Sequence, residues 1–422
     1  MTPLREPNEI PHRYTTWIEV DLDALVHNFR HISEKVGPAQ VIPVVKANAE
    51  GLGARVVSQE LQGAGATMFA VSHFEEALNL LDHGIEADIL VMNGLLRDQM
   101  KVAVASGFHF FIFDPESMRW ADEIAKDAGK KAKVHVKVDT GMGRLGIMPE
   151  QAHSIKALID SSDWVDLMGV AAHLPSPDVS EHDVLTGEQM NVFKQVARIL
   201  DPNHKRMWHV AASSAVLRLP ETYLDGVRVG KLSWGVLSSS PGGLIPGDVQ
   251  AEDWDLQPVG SYKTRLVQVK SLPKGHNVGY GFRYTAETPM SLGVLPLGVV
   301  DGLLREHAGN GYVLIGGCRC KIVGVCSCVS MVDVTGVGGS GDSNYARPQA
   351  GKSTKGGRRV MAGDEVVLVG KQGNDEITIS EFAGFAGAGY GSVARKISAR
   401  IPRFYKKAGK FVAGEVFGRR IF

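Results

Sequence analysis

From Val41 to Leu232 the chain repeats one pattern: a short apolar, β-rich run, then a stretch whose apolar residues fall at helical spacing. The runs are Val41 to Ala47, Met68 to Ser72, Asp88 to Asn93, Phe108 to Asp114, Val134 to Asp139, Val165 to His173, Arg206 to Ser213 and Gly226 to Leu232. Strands separated by helices run parallel, because only a crossover connection brings the chain back in the same direction. Eight of them over about 220 residues have the size and rhythm of a closed β/α barrel. An open dinucleotide-binding sheet fits less well, since no Gly-x-Gly-x-x-Gly opens an early helix. Beyond about Val249, strand-like segments follow one another without helices between them: Tyr262 to Leu272, Met290 to Leu297, Tyr312 to Val325, Met331 to Val334 and Glu365 to Val369. The expected fold class is therefore α/β, an eight-stranded β/α (TIM) barrel followed by a C-terminal mainly-β domain. The expected boundaries are an N-terminal extension over 1–15, the barrel over 16–248 and the β-domain over 249–422.

Composition narrows the function. The 422 residues are 44% hydrophobic, enough for two cores, and Lys+Arg equals Asp+Glu at 46 each. No segment concentrates basic charge as a nucleic-acid footprint would, and none is long and apolar enough to span a bilayer. Met1 to Arg13 lacks the apolar stretch of a signal peptide, so the expected location is the cytoplasm. The four cysteines form two Cys-x-Cys pairs, Cys318 with Cys320 and Cys326 with Cys328. Without a Cys-x-x-Cys knuckle they read as apolar strand residues before they read as metal ligands, and no metal is expected. The segment 336–363, rich in Gly, Ser, Lys and Arg, reads as a long solvated loop.

In a barrel, chemistry gathers at the C-terminal ends of the strands, so polar residues that end apolar runs carry the information. Lys46 ends the first run. A lysine in so apolar a setting is suited to act as a nucleophilic amine towards an aldehyde. Asp139 to Arg144 follow the fifth run, His173 ends the sixth, His209 and Ser213 lie on the seventh, and Arg228 lies on the eighth. The glycines of Gly226-Val227-Arg228-Val229-Gly230 allow backbone amides to approach an anion such as a phosphate. Each feature alone has a structural explanation; their convergence on one mouth points to a phosphorylated aldehyde cofactor.

These residues closely resemble the alanine racemase family of fold-type III pyridoxal-phosphate enzymes, from about Trp17 to Tyr405. The motifs are Val44 to Ala49, Lys137 to Gly146, His209 to Ser213, Val227 to Gly230, Gly279-Tyr280-Gly281 with Tyr284-Thr285-Ala286, Val300-Asp301-Gly302, and Arg400-Ile401-Pro402-Arg403. The resemblance implies a pyridoxal 5'-phosphate enzyme that interconverts L- and D-alanine and so supplies a D-amino acid for the cell wall. It implies that Lys46 forms the Schiff base with the cofactor and is one of two bases. Tyr280 is then the other, delivered by the partner of a head-to-tail homodimer to the opposite cofactor face. Removal of a proton on one face and return on the other is what inverts a stereocentre. It further implies that Arg228 faces the pyridine nitrogen, that His173 and His209 support it, and that Arg144 contacts the substrate carboxylate. Lys137 matches a lysine often carried as a carbamate, and Ser213, Gly230, Lys231 and Tyr390 match phosphate contacts. A donor-only arginine leaves the ring nitrogen unprotonated, which favours return of the proton to the α-carbon over transamination.

The chain departs from the family pattern around the phosphate and substrate. Glu50 stands where a tyrosine is usual, Ala212 where an asparagine is usual, and Cys326-Ser327-Cys328 replaces Cys-Met-Asp, which makes Ser327 a substrate-side position. The spacing from Tyr390 to Arg400 is shifted by one residue. The proton-transfer groups are kept, while another amino acid such as serine, or a related aldolase or decarboxylase reaction, stays open as an alternative. A non-enzymatic cofactor carrier fits less well, having no use for Tyr280.

Overall fold

The computed structural model describes residues 13–238, 249–337 and 359–422. A first strand, β1 (Thr16–Asp21), leads into the helix Leu22–Val36, where the Asp21 carboxylate caps the exposed N–H of Ala24 at 2.9 Å. Eight parallel strands then alternate with helices: β2 (Gln40–Pro43), β3 (Met68–Val71), β4 (Asp88–Val91), β5 (His109–Ile112), β6 (Ala132–Lys137), β7 (Val165–Ala171), β8 (Met207–His209) and β9 (Gly226–Val229). β3 to β8 pair in sequence order, and β2 pairs with β9. Parallel bridges Val44 to Ala70 and Ala212 to Arg228 join the two groups at both seams and close the barrel. Each of the eight expected runs overlaps one of these strands, with β2 and β6 beginning one and two residues earlier than expected.

The second domain is built on an antiparallel sheet. Its strands are β10 (Gly260–Arg265), β11 (Gln268–Leu272), β12 (Asn277–Val278), β13 (Tyr284–Thr285), β14 (Met290–Leu295), β15 (Tyr312–Ile315), β16 (Cys318–Val325), β17 (Ser330–Asp333), β18 (Glu365–Gln372), β19 (Asp375–Ile377), β20 (Arg403–Lys407), β21 (Lys410–Val416) and β22 (Arg419–Arg420). The order is β11-β14-β17-β16-β15-β18-β10-β1-β20-β21-β22, with β19 on β18 and with β12 and β13 as a separate hairpin. Thus β1 lies within the 16–248 segment yet is hydrogen-bonded between β10 and β20, in the other domain's sheet. Its mostly buried residues, Thr16, Trp17, Ile18 and Val20, would suit either sheet, so only the partner strands decide. Two short helices, Ile379–Gly384 and Tyr390–Ala394, interrupt a region expected to be strands alone.

The cysteines sit on and after β16, with Cys320 buried and Cys328 exposed. Among the described residues no three His, Cys, Asp or Glu side chains are grouped to hold a metal, and no helix is long and apolar enough to cross a membrane. Most of the 336–363 segment lies outside the described residues.

Candidate active site

Strand parity decides which side chains meet inside the barrel. Phe111 pairs with His135, His135 with Gly169, Lys137 with Ala171, Ala171 with His209, and Ile42 with Arg228 across neighbouring strands. The interior accordingly has an apolar side, formed by Ile42, Val44, Met68, Ala70, Leu90 and Phe111, and a polar side on β6 to β9. Gly169 makes room for that polar side: a Cβ there would stand 2.4 Å from His135 Nδ1.

At the C-terminal ends of the strands a cavity of about 430 Å³ is lined by Lys46, Lys137, Arg144, His173, Ser213, Arg228, Gly230, Lys231 and Tyr390. His209 lies one layer deeper, fully buried beneath Arg228. Tyr280 and Ser327 are elsewhere on this chain. Tyr280 is at the tip of the β12–β13 hairpin, 79% exposed, where Gly279 and Gly281 supply positive φ angles of 74° and 70°. A second, more apolar cavity of about 600 Å³ between the domains shares Glu50 and Tyr390 but adjoins the undescribed segment 239–248.

The lysine is presented by an unusual backbone. Ala47, Asn48, Ala49 and Glu50 all have φ between 51° and 57°, a left-handed turn without glycine. Such a turn costs roughly 1–2 kcal/mol per residue and must be held from outside. Glu76 holds it, taking the N–H of Ala47 on one oxygen and those of Ser72 (2.8 Å) and His73 (3.0 Å) on the other. Asn48 Oδ1 accepts from Ala54 N at 2.8 Å, and Arg403, reaching over from the second domain, donates to Gly51 O at 3.0 Å. The last contact gives the Arg400-Ile401-Pro402-Arg403 motif a role beside the lysine.

Arg228 is locked from behind. Nη1 donates to His209 Nδ1 and to His209 O, both at 2.8 Å, while Nη2 donates to Ala172 O (2.8 Å) and Val210 O (3.1 Å). These four contacts occupy both terminal nitrogens and leave Nε–H as the guanidinium's remaining donor. Burial, then Arg144, lowers the Arg228 pKa to about 10, so the group stays a cation at neutral pH. His173 is pushed down to about 3 by burial and then by Arg228, Lys137, Arg144 and Lys46. The Lys137 ammonium, buried first and then crowded by Arg228 and Arg144, falls to about 7. Arg144 is aimed by its loop: Asp139 accepts the N–H groups of Gly141, Met142, Gly143 and Arg144 between 2.9 and 3.2 Å. Burial opposes ionisation of Asp139, but these donors outweigh it and keep the carboxyl below its ordinary value. Gly146 closes the loop where a Cβ would stand 2.3 Å from Asp139 N.

Residues 20–238 match the family described as alanine racemase, N-terminal domain, and residues 259–405 match alanine racemase, C-terminal domain. The chain belongs to the alanine racemase family. It is 32% identical over 400 residues to the alanine racemase of Clostridium perfringens (strain SM101 / Type A), covering 94% of this chain and 96% of that one. The alanine racemase of Clostridium difficile 630 superposes with a TM-score of 0.83 at 27% identity, over 96% of this chain and 99% of that one. That of Bacillus anthracis, whose structure has bound L-Ala-P, gives 0.81 at 29% identity, over 96% and 98%. The family makes this chain an isomerase, an amino acid racemase of the alanine type.

As an alanine racemase it has an altered end to its cavity. Glu50, buried, accepts a hydrogen bond from the Tyr390 hydroxyl and another from Arg395 Nη1 at 3.0 Å. The Tyr390 hydroxyl, expected on phosphate, is thus already engaged, and burial together with Glu50 pushes its pKa well above the ordinary value. Lys231 is buried beside them and is lowered to about 8, burial outweighing the attraction of Asp178 and Glu50. Ser213 Oγ accepts from Gly230 N at 3.1 Å, which fixes the remaining contacts of this end. Glu76, Arg395 and His135 were not anticipated. His135 was within reach, since it lies two residues before Lys137 and so on the same face of its strand; Glu76 and Arg395 carry no local signal.

Proposed function

We propose that this alanine racemase family member holds pyridoxal phosphate in the barrel-mouth cavity and uses Lys46 and Tyr280 as its two bases. The reading is carried by one observation: Lys46, Arg144, Arg228 and Lys231, with Ser213 and Gly230, converge on one cavity whose excess of cations suits an anion. When bound, the cofactor supplies the electron sink that acidifies the Cα–H of the amino acid. Lys46 anchors its aldehyde carbon. Arg228 offers Nε–H, and nothing that accepts, to the ring nitrogen. Ser213, Gly230 and Lys231 would hold the phosphate, while the Tyr390 hydroxyl is spent on Glu50. Arg144 takes the substrate carboxylate, and the neutral, buried His173 excludes water.

Once the substrate's amino group has displaced it from the aldehyde carbon, the freed Lys46 Nζ would take or return a proton on one face of Cα, and Tyr280 Oη would do so on the other. Tyr280 is outside its own chain's cavity and highly exposed at the tip of a hairpin, an arrangement that suits delivery to a partner's cavity. The assembly is accordingly a head-to-tail homodimer, with Ser327 near the shared substrate side and the cytoplasm as its place of work. A lysine lowered to about 7 is partly a neutral amine at neutral pH, able to attack CO₂ and release a proton, and a carbamate on Lys137 would put a negative charge between Arg144 and Arg228. With ¹³C-bicarbonate, a carbamate resonance is expected that Lys137→Gln loses.

The test incubates the protein and pyridoxal phosphate with single enantiomers of alanine and serine, followed by chiral chromatography. Alanine should be converted in both directions, faster than serine; no conversion of any amino acid would end the reading. Lys46→Ala should lose the visible absorbance of the lysine-bound cofactor. Tyr280→Phe should suppress proton abstraction from one enantiomer far more than from the other, and equal suppression would contradict opposite faces.

A further inference from the structure

Beneath Arg228 the polar side of the barrel continues as an unbroken line of histidines. Arg228 Nη1 is 2.8 Å from His209 Nδ1, His209 Nε2 is 3.0 Å from His135 Nδ1, and His135 Nε2 is 3.0 Å from His109 Nδ1. His109 Nε2 in turn lies 3.2 Å from Asp88 Oδ1, at the opposite, N-terminal end of the strands. The three histidines are 0–1% exposed. Phe111 covers the line from one side, with ring centroids 6.3 and 6.1 Å from His135 and His209.

We propose that His135, His109 and Asp88 are positioning residues for Arg228, forming with His209 a line of fixed direction that runs by hydrogen bonds from the ring-facing guanidinium to His109 and ends in a charge contact with a carboxylate at the barrel floor. The direction follows from the ends. A guanidinium only donates, so His209 Nδ1 must be bare and its proton must be on Nε2. That proton occupies His135 Nδ1, which sends the His135 proton to Nε2 and, by the same step, the His109 proton to its own Nε2. There it faces Asp88, an acceptor, so both ends demand the same order. The reverse order would set donor against donor at Arg228 and a bare nitrogen against the carboxylate at Asp88. Extra protonation anywhere in the line creates a donor–donor clash, and burial independently disfavours it.

The consequence is felt at the cavity. Among the described contacts no carboxylate touches Arg228; its terminal nitrogens meet carbonyl oxygens and one imidazole. Hydrogen bonds in a low-dielectric interior polarise one another, so the line carries part of the Asp88 charge to a cation it does not touch. It also keeps Nη1 in one orientation, which leaves Nε–H towards the cavity. The other charged groups near the line are Lys133, whose Nζ is 3.0 Å from Asp88 Oδ1, and Lys137 above it. This inference rests on the reading that Arg228 faces the cofactor's ring nitrogen.

The test is ¹⁵N-histidine NMR on the full chain with pyridoxal phosphate bound. His109, His135 and His209 should each show a protonated Nε2 and a bare Nδ1, unchanged between about pH 6 and pH 8, where free histidine titrates. Asp88→Ala leaves the Lys133 ammonium beside His109. It should mix the tautomers of His109 and His135 and lower kcat about tenfold in both directions with KM little changed, as loss of an outer orienting partner does. Asp88→Asn, which keeps a carbonyl acceptor, should restore most of both. A protonated Nδ1 on His209 in the wild-type protein overturns the proposal without recourse to any variant, as does an Asp88→Ala protein with unchanged tautomers and kcat. Failure of the racemase reading shows separately, as a wild-type protein with these tautomers and no turnover.

Discussion

Glu76→Ala should loosen the turn that presents Lys46. Four consecutive left-handed residues, Ala47 to Glu50, carry roughly 4–8 kcal/mol of conformational cost at 1–2 kcal/mol each. Glu76 offsets it by accepting Ala47 N, the first N–H of that turn, while its other oxygen takes Ser72 N and His73 N and closes a capping box on the helix Phe74–Asp82. Hydrogen bonds to a charged acceptor contribute roughly 1.5–3 kcal/mol each. The exposed His73 N–H can turn to water, while the N–H groups of the half-buried Ala47 and Ser72 can do so only in part, so the expected loss is about 3 kcal/mol. At about 2–4 °C per kcal/mol for a unit the size of the barrel, the Tm of the barrel's transition should fall by about 6–12 °C. Thermal unfolding by circular dichroism reads the loss, and absorbance after pyridoxal phosphate addition reads whether Lys46 still reaches the cofactor. Glu76→Gln keeps one carbonyl oxygen and should fall between. A Glu76→Ala protein melting within about 2 °C of wild type would mean that the turn holds itself, and the reasoning would fail.

Three further outcomes follow from the same geometry. His109 and His173 are lowered from 6.5 to about 4 and about 3, and His135 and His209 are also held well below their ordinary value, burial being the first cause in all four. Below pH 6.5 the unfolded chain therefore binds protons that the folded one refuses. Stability, complete above 6.5, should drop towards pH 4 by about 1.4 kcal/mol per pH unit for each histidine. Urea midpoints that stay flat between about pH 7 and pH 5 would contradict neutral histidines. Asp301 is fully buried and accepts Arg400 Nε at 2.8 Å and Nη2 at 2.7 Å, whereas the arginine is 42% exposed. Arg400→Ala should thus cost about 3–5 kcal/mol in denaturant, more than Asp301→Asn, because it strands the buried charge; the opposite ranking would be decisive against this. Glu50→Gln removes a negative charge from the phosphate end and should tighten cofactor binding about tenfold, or about 1.4 kcal/mol, in a fluorescence titration, and weaker binding would show that Glu50 organises that end instead.

The barrel strands were legible because each is a short apolar run closed by a polar residue, and in a barrel those closing residues face one mouth. Lys46, His173 and Arg228 follow from that rule, and Tyr280 followed from family motifs. The partner of β1 was not legible, since a β-rich run marks a strand but not the strand beside it. The turn after Lys46 was invisible for another reason: Ala-Asn-Ala-Glu has no glycine to mark a positive φ, and what stabilises it, Glu76 and Arg403, comes from elsewhere in the chain. Glu50 read as a charge that would repel phosphate because its neutralising partners, Tyr390 and Arg395, are 340 and 345 residues away.

The position of β1 also sets a timetable for the chain's synthesis. Thr16 hydrogen-bonds Thr264 across 248 residues, and Glu19 pairs with Lys406 across 387. The strand emerges before the barrel, yet its neighbours on either side, β10 and β20, come only after the whole barrel. Until then it is an unpaired β-strand attached to a barrel able to close without it, a segment open to mispairing with a nascent copy of itself. Contacts of such sequence separation form slowly. Refolding should therefore proceed in two phases, a concentration-independent one for the barrel and a later one, sensitive to crowding by like chains, in which β1 finds β10 and β20.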